Sequence, residues 1–238
     1  MPIKPENRIR LRRLIIVVFC VAVVFFAFSL DAPVASILKS PVGGRMHIFA
    51  GLLSKIGDWP CLLMVGILFS LFLFVRGCVE CSRLLLVVLL AGSLAGFSAT
   101  LVRSTVGRTR PSSHQTQGFY GPYHEAHWTV GKYEFGSFPS GHTATVAGLT
   151  AALWMWRRRW ALAFGLFAVM VAWSRIALNC HHFSDVVAAG IWGALAGPWL
   201  FSLVRPKIPG WQWFQRFSSR QSAANVPVPL GQLEIPQV

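Results

Sequence analysis

The sequence predicts an all-α integral membrane protein with six transmembrane helices. Of its 238 residues, 54% are hydrophobic and only 13% are charged, which is too apolar for an ordinary soluble domain. The apolar residues are grouped in six runs, and the basic residues are distributed unevenly among the segments that join those runs. The chain is long enough for several membrane spans and is interpreted as one membrane domain.

The six apolar runs are the predicted helices. They lie at residues 14–30, 59–75, 84–102, 143–156, 161–174 and 186–204. The fourth and fifth are shorter than the ~20 residues that a bilayer requires, so we expect both to extend into their flanking segments. The first run could be taken for a signal peptide, but it is long for that purpose and no A-x-A cleavage site follows it. We interpret it as a membrane anchor.

The remaining segments complete the predicted organisation. Residues 1–13 are predicted to form a basic cytoplasmic tail, residues 14–205 the membrane domain, and residues 206–238 a cytoplasmic tail that is partly interfacial and partly disordered. Between the first two runs, apolar residues at helical spacing predict a short helix lying on the bilayer surface. These residues are Ile48, Phe49, Leu52 and Leu53.

The basic residues predict the orientation of the chain. With the N-terminus inside, fourteen of the 22 lysines and arginines lie on the cytoplasmic side and eight on the outer side. This asymmetry is the positive-inside pattern of membrane proteins. The net charge of +14 therefore follows from topology, and since no single basic patch forms we expect no nucleic-acid partner.

The five cysteines are expected to form no structural disulfide. Cys78 and Cys81 make a C-x-x-C pair in a short cytoplasmic loop, without further ligands that would indicate a zinc site. We predict reduced thiols at both positions. Cys180 has no obvious partner on the outer side.

Three clusters of cations and histidines lie in the segments predicted to face outward. They read R-x6-R-P from Arg103, P-S-G-H from Pro139, and S-R-x5-H-x3-D from Ser174. In this order they resemble the three signature motifs of the type 2 phosphatidic acid phosphatase superfamily, in particular its bacterial membrane lipid phosphatases. The family usually has Lys where this chain has Arg103, so the charge is kept but a planar fork replaces a point charge.

The third cluster contains the predicted nucleophile. His181 and Asp185 are four residues apart and would share one helix face, so the carboxylate could hold one imidazole nitrogen as N–H while the other attacks phosphorus. In the resembled family the histidine at this position forms a phosphohistidine. We therefore predict His181, His142 and Asp185 as the catalytic residues.

The second cluster contains the predicted acid and base. Ser140 is expected to cap the following helix, Gly141 to let the backbone approach a ligand, and the helix N-terminus to bind an anion. His142 would protonate the departing oxygen and then accept a proton from the attacking water, a two-way role that suits histidine.

Arginines are the remaining predicted phosphate ligands. Arg103, Arg110 and Arg175 would join Ser140 and Gly141 in holding the equatorial oxygens of a phosphoryl group. We take Asp185 as the one acid near the motifs, and a magnesium site needs more carboxylates than that. We therefore expect no metal, no cofactor and a metal-independent reaction.

The outward segment 112–138 contains all three tyrosines and several other aromatic residues. It is interpreted either as a lid that selects the substrate or as a simple aromatic belt, and both interpretations stay open. His124, Glu125 and His127 within it do not have the H-E-x-x-H spacing of a zinc site.

Together these features predict a phosphatase of the bacterial inner membrane, with its site facing the periplasm or exterior and a membrane lipid phosphate as its substrate. The resemblance implies four candidates: undecaprenyl pyrophosphate, phosphatidylglycerol phosphate, phosphatidic acid and a lipid A phosphate. Two alternatives are a lipid phosphotransferase, in which a second lipid replaces water, and a non-enzymatic scaffold or transporter. The scaffold hypothesis predicts that catalytic residues are missing, and none is. The related vanadate-dependent haloperoxidases are soluble, and six predicted spans argue against them.

Overall fold

Eight α-helices make up most of the chain in the computed structural model, which describes residues 5–204. The helices are α1 (Pro5–Ser29), α2 (Asp31–Leu38), α3 (Arg45–Ile56), α4 (Trp59–Val75), α5 (Val79–Val106), α6 (Gly141–Trp156), α7 (Arg158–Ala177) and α8 (Phe183–Val204). Two-residue strands β1 (Tyr123–His124) and β2 (His127–Trp128) pair antiparallel in the segment between α5 and α6, residues 107–140, which we call the outer loop. The all-α prediction is confirmed.

Each of the six predicted apolar runs is helical in the structure, as α1 and α4 to α8. The fourth and fifth runs do extend into their flanks, to Gly141–Trp156 and Arg158–Ala177. Arg8, Arg10, Arg12 and Arg13, which precede the first run, lie in the opening turns of α1, and Lys4 lies outside the described residues. The prediction for residues 206–238 lies outside the described part of the chain.

Four helices between residues 5 and 204 are individually long and apolar enough to cross a membrane: α1, α5, α7 and α8. Helices α3 and α4 pass the same test as a pair, with a bend of 56° between them. Helix α6 has 16 residues and rises about 24 Å, less than the ~30 Å of a hydrocarbon core. The protein is thus an integral membrane protein, and the count of six spans stays a prediction.

The predicted surface helix exists as α3. Its orientation relative to the bilayer stays a prediction. Gly57 and Asp58 form the bend that joins it to α4. A Cβ atom at Gly57 would lie 2.6 Å from a methyl group of Val171, so only glycine lets this bend approach α7 so closely. We call residues 54–58 the α3–α4 elbow.

Helix α6 lies at the centre of the helical bundle and contacts α5, α7 and α8. Small residues allow this close packing, because a Cβ at Gly193 of α8 would lie 2.4 Å from the carbonyl oxygen of Ala144. The apolar core includes Leu84, Val88, Leu149 and Phe201. By contrast α1 exposes most of its apolar side chains, as expected of a helix that faces lipid.

The outer loop folds back over the end of α5. Gly107 ends that helix with a φ of +62°, and a Cβ there would lie 2.0 Å from the carbonyl oxygen of Gly121. A non-glycine residue would therefore be excluded by both conformation and contact. An isolated bridge between Arg108 and Phe119 continues this packing.

The expectation of no structural disulfide was wrong. The structure joins Cys78 and Cys81, whose Cα atoms are 5.4 Å apart, within the usual range for a disulfide. The turn between α4 and α5 brings the two cysteines together. Cys20, Cys61 and Cys180 are free thiols.

Candidate active site

The three sequence clusters meet at one end of the helical bundle. Arg103 lies in the last turn of α5, His142 in the first turn of α6, Arg175 in the last turn of α7 and Asp185 in the first turn of α8. Because these helices run alternately up and down, their sequence-distant ends become neighbours. The structure therefore brings all the predicted site residues to the same end.

His181 lies in the turn between α7 and α8 and is only 2% exposed. Its Nδ1 lies 2.7 Å from the backbone carbonyl oxygen of Ser137. Since a carbonyl only accepts hydrogen bonds, Nδ1 carries the hydrogen and Nε2 keeps its lone pair. Burial lowers the pKa of His181 to about 3, so the imidazole is neutral at pH 7.

The direct contact expected between His181 and Asp185 is not a hydrogen bond. The distance from His181 Nδ1 to Asp185 Oδ2 is 3.7 Å, too long for one. That oxygen instead accepts hydrogen bonds from the Ser137 hydroxyl at 2.5 Å and the His182 backbone N–H at 2.8 Å. Asp185 therefore positions the segment that holds His181, and Ser137 makes the contact.

Arg108 neutralises the buried carboxylate of Asp185. Its guanidinium lies 2.5 Å from Asp185 Oδ1 and 2.7 Å from Asp31 Oδ2, and the guanidinium carbon lies 4.8 Å and 5.1 Å from the ring centres of Phe28 and Phe119. Asp31 also accepts a hydrogen bond from the backbone N–H of Ser184 at 2.7 Å. This network links α2 to the start of α8.

His142 contacts a residue from the elbow. Its Nε2 lies 3.1 Å from Oδ1 of Asp58, and the His142 side chain is 25% exposed. Ser140 occupies the N-cap position of α6 as predicted, but its side chain makes no capping hydrogen bond. The Ser140 hydroxyl oxygen instead accepts a hydrogen bond from Thr143 at 3.1 Å.

The three predicted phosphate-binding arginines are held differently. Arg110 donates to the carbonyl oxygens of Tyr133 and Cys180 and lies 3.9 Å from the centre of the Tyr133 ring. Arg175 donates to the hydroxyl of Ser54 in α3, and its Nε is buried without a hydrogen-bond partner among residues 5–204. Arg103 makes no ion pair within that range. The guanidinium groups interact electrostatically, and their mutual repulsion favours an anion between them.

A cavity of about 480 Å³ adjoins these residues. At one end it is lined by Asp58, Arg103 and His142, and further along by apolar side chains of α4 and α5. Its lining on α5 extends from Leu90 to Arg103, about 20 Å along the helix axis. The cavity is therefore polar at the motifs and apolar towards the middle of the bundle.

Sequence reasoning missed Asp31, Ser54, Asp58, Arg108 and Ser137 as parts of this site. The statement that Asp185 is the one acid near the motifs was wrong, because Asp31 and Asp58 lie at the same end. A signal was present in the sequence, since the chain has only eight acidic residues and these two lie in segments that the distribution of basic residues predicts to face outward. No group of three or more His, Cys, Asp or Glu in residues 5–204 is arranged to hold a metal ion.

Comparison with known families is consistent with this geometry. Residues 82–209, more than half of the chain, match the family model of the PAP2 superfamily. The chain belongs to the PAP2 superfamily. The matched region of this PAP2 protein contains all three motif clusters but not α1 to α4, so it leaves out Asp31, Ser54 and Asp58.

Similar proteins include lipid A phosphatases. The chain is 33% identical over 112 residues to a lipid A 1-phosphatase of Rhizobium etli, covering 46% of this chain and 44% of that protein. It is 33% identical over 113 residues to a lipid A 4'-phosphatase of Bacteroides thetaiotaomicron, covering 46% of this chain and 48% of the relative. The aligned region thus spans less than half the length of each relative.

Two solved structures share the fold. The crystal structure of Aquifex aeolicus LpxE superposes with a TM-score of 0.55 at 15% identity, covering 73% of this PAP2 chain and 95% of that one. A PAP2-type phosphatidylglycerolphosphate phosphatase from Bacillus subtilis gives a TM-score of 0.52 at 20% identity, with coverages of 79% and 96%. At these identities the likeness establishes the fold alone.

Proposed function

We propose that this PAP2 protein removes a phosphate group from a membrane lipid through a phosphohistidine on His181, without a metal ion. The observation that carries the proposal is the state of His181. Its Nδ1–H is fixed on the carbonyl of Ser137, its Nε2 keeps a lone pair, and Arg110 and Arg175 act on it electrostatically. A neutral, oriented imidazole beside fixed positive charge is suited to attack a phosphoryl group.

In the first step, Nε2 of His181 forms a bond to phosphorus as the bond from phosphorus to the lipid oxygen breaks. The proton that the departing oxygen needs comes from His142, and Nδ1–H of His181 remains on Ser137. Arg103, Arg110 and Arg175 would hold the three equatorial oxygens, with the backbone at Ser140 and Gly141.

In the second step, a water oxygen bonds to phosphorus as the phosphorus–nitrogen bond breaks. The water proton passes to His142, which restores the starting protonation state and releases inorganic phosphate. This exchange of roles requires His142 to act as acid and then as base. In the phosphotransferase alternative, a lipid hydroxyl replaces water in this step.

The cavity supports a lipid substrate. A phosphate bound among the motifs would leave its lipid part beside the apolar section lined by Trp59, Leu94 and Phe97. Because lipid A phosphatases are among the similar proteins, a lipid A phosphate is our first candidate. Undecaprenyl pyrophosphate, phosphatidylglycerol phosphate and phosphatidic acid are the others.

The distribution of charge supports a location in the bacterial inner membrane with the site facing the periplasm. Basic residues concentrate at the end opposite the motifs, as in Arg157, which joins α6 to α7, and Arg158 and Arg159, which begin α7. Substrate would then be taken from the outer leaflet, and lipids made in the cytoplasm would have to be flipped first.

The experiment that tests the function is a substrate panel. Purified full-length protein in detergent would be given each of the four lipid phosphates, and released phosphate would be measured with and without an added acceptor lipid. Hydrolysis of at least one lipid that is lost in His181→Ala is the expected result. Acceptor-dependent product would favour phosphotransfer, and inactivity on the whole panel would favour a scaffold or transporter.

A further inference from the structure

The α3–α4 elbow lies against two residues of the site, although it belongs to none of the motifs. Ser54, 7% exposed at its start, accepts a hydrogen bond from Arg175, and Asp58 at its end contacts His142. Gly57 between them fits against Val171 of α7 with no room for a side chain. The elbow therefore has a fixed position relative to the helix that carries Arg175.

His142 lies in a strongly cationic environment. Four charged side chains act on its imidazole: Asp58 from the elbow, Arg103 from α5, Arg110 from the outer loop and Arg175 from α7. Burial and the three positive side chains disfavour an imidazolium ion at this position. Asp58 is the one carboxylate among the four, and it lies within hydrogen-bond distance of Nε2.

We propose that Asp58 is a positioning residue that orients His142 and favours the protonated form needed to release the lipid. The proposal rests on the proposed function, in which His142 is the acid. With Nε2–H donated to Asp58, Nδ1–H faces away from the carboxylate and is the proton given to the departing lipid oxygen. After transfer, the neutral imidazole accepts a proton at Nδ1 from the attacking water, while Asp58 stays ionised throughout.

Asp58 has a second role that a test must separate from the first. It is the N-cap residue of α4, and its Oδ1 accepts a hydrogen bond from the Trp59 backbone N–H at 2.9 Å. Asparagine is as good an N-cap residue as aspartate, so Asp58→Asn removes the charge and keeps the cap. Asp58→Glu restores the charge on a longer side chain. Glu80→Gln makes the same charge change at the far end of α5 and serves as the control.

The measurement is the pH dependence of kcat/KM for the wild type and the three variants. The probes are the lipid phosphate that the wild type hydrolyses fastest in the panel and p-nitrophenyl phosphate, whose leaving group needs little protonation. In Asp58→Asn the alkaline limb for the lipid should move about one unit to lower pH, so that activity is about tenfold below wild type along that limb and nearly equal to wild type on its acid side. Asp58→Glu should recover part of this shift, and Glu80→Gln should match the wild type.

The effect of Asp58→Asn on p-nitrophenyl phosphate should be smaller than its effect on the lipid. An unchanged pH profile in Asp58→Asn, or an equal loss at every pH and with both probes, would overturn the proposal and leave a role in capping α4. Either result would leave the proposed function intact. Inactivity of the wild type on every lipid would instead overturn the proposed function itself.

Discussion

The backbone carbonyl oxygen of Ser137 accepts a 2.7 Å hydrogen bond from Nδ1 of His181. This contact defines the tautomer of the proposed nucleophile, and the hydroxyl of the same residue donates to Asp185. The carboxylate therefore acts on His181 through Ser137, one step removed from the arrangement of a catalytic triad, where the acid contacts the histidine directly.

Substitutions at Ser137 and Asp185 should therefore lower kcat by different amounts. Ser137→Ala keeps the carbonyl and loses a hydrogen bond to a charged group, which is worth about 1.5–3 kcal/mol, so kcat should fall roughly 10- to 100-fold. Asp185→Asn should cost more, since it also breaks the buried pair with Arg108. Phosphate release and thermal unfolding should be measured together.

Asp31→Asn is the matched control for Asp185→Asn. It removes the other carboxylate partner of Arg108 without touching Ser137. It should lower the melting temperature and reduce turnover less than Asp185→Asn does. Equal losses of turnover in the two variants would show that Asp185 acts through Arg108 alone.

The proposed nucleophile and acid should be separable by covalent labelling. His181→Ala should abolish both phosphate release and labelling by a ³²P-phosphorylated substrate. His142→Ala should still form labelled protein from a substrate with a good leaving group, because that half-reaction needs no acid, and should hydrolyse it slowly. Wild-type turnover in His181→Ala would exclude the assignment.

Acid should destabilise the protein through His181. Burial lowers its pKa from 6.5 to about 3, so between these values the unfolded chain binds a proton that the folded protein does not. The free energy of unfolding therefore decreases as pH falls through this window and keeps its full value above it. Burial also lowers the pKa of His182, with the same sign.

The melting temperature in detergent should consequently drop between pH 7 and pH 5. His181→Gln should show a smaller drop across the same interval, whatever its melting temperature at pH 7. Parallel pH dependences in the two proteins would mean that the imidazole of His181 is not the group responsible.

Turnover should persist in excess EDTA, because the proposed positive charge at the phosphate comes from Arg103, Arg110 and Arg175. Vanadate, which adopts the trigonal-bipyramidal geometry of a phosphoryl group in transfer, should inhibit. The measurement is phosphate release before and after dialysis against chelator. Loss of activity that Zn²⁺ or Mg²⁺ restores would contradict the metal-independent mechanism and direct attention to the histidines at positions 124 and 127.

Sidedness can be tested by cysteine labelling in a variant without the native cysteines. Gln115→Cys in the outer loop and Arg159→Cys in the first turn of α7 both place the thiol at an exposed position. A membrane-impermeant maleimide should label Gln115→Cys in intact spheroplasts and label Arg159→Cys only after the membrane is broken. The reverse pattern would place the site in the cytoplasm.

The sequence by itself determined the class of fold, seven of the eight helices and the residues of the motifs. It could do so because a long apolar run in lipid must satisfy its backbone hydrogen bonds internally and therefore forms a helix, and because the spacing of the cations and histidines in the motifs is visible in the sequence. The extension of α6 and α7 into their flanks followed from the same argument. The surface helix was also recognised by its spacing.

Only the tertiary structure decided which groups contact the catalytic side chains. Ser137 reaches His181 through its backbone, which carries no sequence signal, and Asp185 lies 3.7 Å from the ring it was expected to hold. Three further site residues come from α2 and the elbow: Asp31, Ser54 and Asp58. Each of them precedes Arg103, the first motif residue, by more than 40 positions in the sequence. Local periodicity defines each helix and its faces, whereas contacts between distant segments depend on how bends such as that at Gly57 direct one helix against another.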